Sequence, residues 1–147
     1  MAANPLKCVT PFIVVPLWIA FPLAHAAAAE TPAPAAVVTQ LLQRDLTSDP
    51  RREALMLTVG YGPGGASLPH RHDAQVFVYV LEGAVTMQIK GSAPVTLKAG
   101  ETFYEGVGDV HVVSANASQT QSAKILVFMI KQKGKPATRG VTGTATP

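Results

Sequence analysis

Cysteine is nearly absent from this chain: Cys8 is the only one, and it stands close to the N-terminus. A disulfide framework is therefore excluded, and stability has to come from packing and from any bound metal. Charge is sparse as well. Charged residues make up 14% of the chain and the formal net charge is +3, with no basic cluster interleaved with aromatics, so nucleic acid is not an expected partner. The sequence also lacks a long amphipathic helical period, an internal repeat, a nucleophile–His–Asp arrangement, a phosphate loop and paired catalytic carboxylates. Histidine is the informative scarcity. There are four, and three of them, His70, His72 and His111, fall in two short stretches.

The N-terminus explains the fourth. Met1–Lys7 carries one positive charge and no acid, and Cys8–Leu23 is an apolar run interrupted by prolines and too short for a comfortable membrane span. It ends in Ala24-His25-Ala26, a small-x-small cleavage site, with Ala26-Ala27-Ala28 as the alternative. Residues 1–26 are thus expected to be a cleavable signal peptide, and the mature chain a periplasmic or secreted protein with no stable membrane anchor. An uncleaved anchor is the alternative. Cys8 comes too early, after Pro5-Leu6-Lys7, for a lipoprotein cysteine. Loss of Lys7 lowers the charge to about +2, and residues 27–147 suffice for one small core.

Residues 27–36 are rich in alanine and proline and read as an extended lead-in. Val37–Leu46 is a strand or a short helix, with strand the better fit, and Thr47-Ser48-Asp49-Pro50 is a turn signal. In Glu53–Tyr61 both alternating sets are largely apolar, which predicts a strand covered on both faces. Val76–Leu81 and Val85–Lys90 flank Glu82-Gly83-Ala84 and read as a hairpin; Val95–Lys98, Phe103–Glu105, Val110–Ala115 and Lys124–Lys131 follow as short strands. Regular short strands of this kind predict a sandwich or barrel over residues 37–132, with a jelly roll as one standard closure. Residues 133–147 are polar and rich in glycine and threonine, and are expected to be disordered.

Two histidines at i and i+2 on an extended chain face the same way, so His70 and His72 aim at one point, as a metal ion requires. Arg71 between them faces the opposite side. Gly100–His111 brings the third histidine after a turn of its own. Tyr104 and Glu105 beside that turn alternate in direction, so only one can face a pocket. If that one is Glu105, it is the candidate general acid or base. Phe77, Tyr79, Phe103 and Met87 read as core. Asn116-Ala117-Ser118 is a glycosylation pattern, relevant only in a eukaryotic secretory pathway.

These stretches carry a resemblance. Gly64, His70, His72 and Gly83 fall in register with the first motif of the cupin superfamily. Gly100, Gly108 and His111 match the second, with Gly106 where proline is usual and Asn116 one residue late. The chain resembles small, single-domain, exported bacterial cupins over Glu53–Lys131. The resemblance implies an all-β jelly-roll barrel in which His70, His72 and His111 hold one divalent metal (iron, zinc, manganese, nickel or copper) that acts on a small-molecule substrate. Pairing of two copies through edge strands is the default it implies. One position departs from the motif, because Val76 stands where a glutamate ligand is usual. Three readings stay open. The centre has three histidines and open positions; or Gln75 or Glu105 reaches in as an additional oxygen ligand; or the metal is lost and the barrel binds a ligand only. A three-histidine centre would suit an oxygenase or isomerase acting on an oxygen-rich or anionic molecule. The rival is a non-catalytic barrel that binds a small ligand, and a structural metal is a third idea.

Overall fold

A computed structural model describes residues 33–141; the stretch expected to be a signal peptide, most of the lead-in and the chain after Val141 lie outside the described residues. Ten strands carry the regular structure: β1 (Val37–Leu46), β2 (Asp49–Tyr61), β3 (His70–Arg71), β4 (Ala74–Glu82), β5 (Ala84–Ile89), β6 (Val95–Lys98), β7 (Thr102–Glu105), β8 (Val110–Asn116), β9 (Ala123–Gln132) and β10 (Arg139–Gly140). They form two five-stranded antiparallel sheets, in the orders β1-β2-β9-β4-β7 and β10-β3-β8-β5-β6. The protein is an all-β jelly roll.

Period-two alternation builds the core. Leu55, Leu57, Val59 and Tyr61 on β2, Val76, Val78 and Val80 on β4, and Ile125, Val127 and Met129 on β9 point inward from one sheet. Val85, Met87 and Leu97 join the same buried cluster from the other. Each such side chain contributes roughly 1.5–3 kcal/mol on burial. The expected double cover of β2 is met on one face only: Met56, Thr58 and Gly60, on the outer face, are half-buried.

Two sequence expectations change here. Glu82-Gly83-Ala84 does not close a hairpin: β4 pairs with β7 and β9, whereas β5 pairs with β6 and β8 in the opposite sheet. Gly83 has φ +70°, and a Cβ on it would lie 2.6 Å from the Ser122 carbonyl oxygen. One residue in the left-handed region against neighbouring backbone turns the chain through a corner between sheets, which lets the apolar faces of β4 and β5 meet. The second change is at the C-terminus. Residues 133–141, part of the stretch expected to be disordered, are placed: β10 pairs with β3, Arg139 opposite Arg71 and Gly140 opposite His70.

A buried ion pair crosses from β2 to β9. Glu53 and Lys131 are directly opposite, 3% and 6% exposed, and joined by a short contact between Lys131 Nζ and Glu53 Oε1. Gln43 Nε2 donates to the other carboxylate oxygen at 2.7 Å, and the Lys135 carbonyl accepts from Lys131 at 2.5 Å.

Candidate metal centre

The approach to the first histidines is held by backbone. Gly64 has φ +66° and its amide donates to the Ser118 carbonyl, while Ser67 donates to the Ser114 carbonyl at 2.8 Å, laying this segment along β8. Asn116 clamps the turn: its amide donates to the carbonyls of Gly62 and Gln121, and its oxygen accepts from Ser118 N–H. A buried side chain so engaged is not available for glycosylation. The second turn replaces proline with Gly106, whose N–H donates to Asp109 Oδ2 at 2.8 Å, a bond proline could not make.

These turns bring three imidazoles together. His70 and His111 are directly opposite on β3 and β8, with ring centroids 5.2 Å apart, and His70 and His72 are 4.9 Å apart. Arg71 between them is exposed, as alternation requires. Of the two residues ending β7, Tyr104 is exposed and Glu105 is 2% exposed, so Glu105 is the one that faces in. It does so for a reason of register: Glu105 pairs directly with Val76 of β4. Cross-strand partners share a face with Cβ atoms about 5 Å apart, so the carboxyl missing at residue 76 is present on the adjacent strand. Gln75 alternates with Val76 and is absent from the cavity lining, so it does not join the cluster.

The hydrogen bonds set the tautomers. His70 Nδ1 bonds the Leu68 carbonyl at 2.7 Å and His72 Nδ1 bonds the Ala137 carbonyl at 2.6 Å. A carbonyl only accepts, so each Nδ1 carries the proton and each Nε2 keeps a lone pair. His72 Nε2 lies 3.6 Å from Glu105 Oε2, and His111 Nδ1 lies 3.3 Å from Glu105 Oε1. Glu105 Oε2 and both His111 nitrogens are buried without a hydrogen-bond partner. Burial lowers the pKa of His111 to about 4, helped by His70 and His72, and lowers that of His72 against the Ala137 hydrogen bond. Burial also raises Glu105 to about 7, with Asp109 adding to it. At His72 and His111 the environment therefore favours the neutral imidazole, the form that ligates metal.

The donor set fits a divalent ion by its chemistry. Rings sharing one metal through nitrogens at ~2.1 Å stand with centroids about 4.5–5.2 Å apart, and the His70–His72 and His70–His111 separations fall in that range. The orphaned atoms of Glu105 and His111 are the groups such an ion would satisfy. Among the described residues, no set of three His, Cys, Asp or Glu donors is already assembled for a metal. His111 presents Nδ1 to the Glu105 carboxylate.

A family model described as a cupin domain matches residues 57–129, which contain all four clustered side chains. The chain belongs to the cupin superfamily. Solved structures agree with this cupin in fold. An oxalate oxidase in complex with glycolate is 27% identical, over 75% of this chain and 56% of that one, with TM-score 0.58. A cupin domain from Bordetella pertussis is 22% identical, over 69% of this chain and 99% of that one, with TM-score 0.54. A DMSP lyase from Ruegeria pomeroyi is 17% identical, over 63% and 45%, with TM-score 0.54. The chain thus spans about half the length of the oxalate oxidase and the lyase. No curated protein sequence matches it.

The cupin's cavity, about 450 Å³, is lined by the four clustered side chains and by parts the sequence did not single out. Ala35 and Ala36, from the end of the lead-in, and Thr138 and Gly140, from the C-terminal segment, reach it. Tyr61, Ser67 and Ser114 supply hydroxyls. Nothing in the sequence marks Ala137, because its contribution is a backbone carbonyl.

Proposed function

We propose that this cupin is a small exported metal-binding protein, acting as an oxygenase- or isomerase-type enzyme on a small oxygen-rich or anionic substrate. The observation that carries the reading is the buried cluster itself. Two imidazoles hold their Nε2 lone pairs free, and beside them Glu105 Oε2 and both nitrogens of a third imidazole have no partner. His70, His72 and His111 would hold the ion, with Glu105 as an additional ligand or, left free, as the group that holds or moves a proton at its carboxyl oxygen. When bound, the metal supplies Lewis-acid polarisation of a substrate oxygen. Val76, Val78, Met87, Val127 and Met129 make the wall of the cavity mostly apolar. Similarity to oxalate oxidase structures that hold glycolate, at 27% and 26% identity, supports a small carboxylate as substrate.

The mostly apolar wall also supports the second reading, a barrel that binds a small ligand without converting it. Export with cleavage after Ala26 belongs to the first reading, as does a homodimer: β1 is one of the two edges of its sheet and is exposed along nearly its whole length.

Elemental analysis of residues 27–147, purified without chelator or affinity histidines, tests the centre, with the His70→Ala/His72→Ala variant beside it. Near-stoichiometric metal, lost in the variant, is the expected result. A chain that takes no metal on reconstitution overturns the reading and leaves the ligand-binding barrel.

A further inference from the structure

The histidine cluster occupies one end of the cavity only. The segment from Ala66 to Arg71 runs antiparallel to β8: His70 pairs with His111, the Ser67 amide bonds the Ser114 carbonyl, and Ala66 bridges to Ala115. One ribbon thus carries two cross-strand pairs, His70/His111 and Ser67/Ser114, and all four side chains line the cavity. A bulge in β8 lies between the pairs: His111 and Ser114 stand opposite Ile89 and Met87 of β5, two residues apart, so the pairs are separated by ~7 Å along the sheet. Tyr61 joins the second pair from the opposite sheet, its hydroxyl 2.7 Å from Ser114 Oγ and 3.2 Å from Ser67 Oγ.

The protons of this hydroxyl chain can be counted. Ser114 Oγ donates to Met87 Sδ at 3.7 Å, so Tyr61 donates to Ser114 and Ser67 donates to Tyr61. The chain ends on a thioether, a weak acceptor. Reversed, Ser114 donates to Tyr61 and Tyr61 to Ser67, which frees the Ser67 proton for an oxygen in the cavity. Only the sulfur contact is given up. A ligand oxygen is the better acceptor, so reversal is favoured when one is present.

We infer that Tyr61, Ser67 and Ser114 form a second polar subsite, and that the ligand is a linear hydroxy- or oxo-carboxylate spanning both ends. The carboxylate head lies at the histidine end, which rests on the function proposed above. The far end is a neutral oxygen, because no lysine or arginine lines the cavity among the described residues to balance a second negative charge.

Calorimetric titration with ω-hydroxy carboxylates of increasing length, each beside its unsubstituted counterpart, tests this. It is run on metal-loaded and metal-free protein with metal content measured in each. In the wild type the hydroxyl should tighten binding about tenfold at one chain length, and less at shorter or longer lengths. Ser67→Ala, at a half-buried position, and Tyr61→Phe should each erase that advantage with metal content unchanged. A hydroxyl that confers no advantage at any length, or an advantage that persists in Ser67→Ala, overturns the subsite. Failure of the metal centre is seen separately, as absence of metal from the wild type. The metal-free titration then decides the subsite, since its hydroxyls do not need the ion.

Discussion

Val76 and Glu105 sit opposite each other on β4 and β7, a small apolar side chain and an acid on one inward face. The departure at residue 76 is visible in the sequence, but its compensation depends on strand register, which spacing along the chain does not give. The register also makes the two positions exchangeable. Glu105→Val should weaken metal binding at least about tenfold by removing the carboxyl beside His72 and His111. Adding Val76→Glu to that variant should restore most of the affinity, because it returns a carboxyl to the same face about 5 Å away. Chelator-competition measurement of the dissociation constant checks both, and a double variant no better than the single one would show that the two positions do not serve one site.

Among the elements, β10 shows what a composition-based reading misses. The segment after Gln132 looks like a solvated tail because its polar, small residues make no hydrophobic pattern. Yet its contribution is made by backbone: two residues paired with β3, and the Ala137 carbonyl on His72 Nδ1. The long strands were legible because their alternation is written in side chains. The corner at Gly83 was not, since a glycine at positive φ between two apolar strands fits a hairpin equally well. Deletion of residues 136–147 should therefore loosen metal binding about 10–100-fold by freeing the His72 tautomer, while far-ultraviolet circular dichroism stays that of the barrel. Arg139→Ala should do much less. Its 2.9 Å ion pair with Asp73 is half exposed, and such pairs contribute no more than about 1 kcal/mol. Equal losses in the two variants would shift the role from the Ala137 carbonyl to the ion pair.

For the molecule as a whole, a single cysteine leaves no disulfide to join β2 to β9, and the buried Glu53–Lys131 pair adds to their ladder and apolar contacts. Glu53 is held below the ordinary carboxylate range first by its hydrogen bond from Lys131, then by that from Gln43, against the cost of burial. A carboxylate whose pKa is depressed on folding contributes stability in full above its unfolded value, near 4.5, and loses it as pH falls through the folded value. Glu53→Gln removes the charge but keeps the shape, leaving Lys131 buried without a counter-ion. At neutral pH that should cost about 3 kcal/mol, or about 10 °C in melting temperature. As the pH drops below about 4.5, the wild type protonates Glu53 and comes to resemble the variant, so the two melting curves should converge. Thermal melts of both proteins from about pH 7 to about pH 3 check this. A gap that stays constant across the range would mean that Glu53 acts through its hydrogen bonds and volume, and that its charge contributes nothing to holding the sheet together.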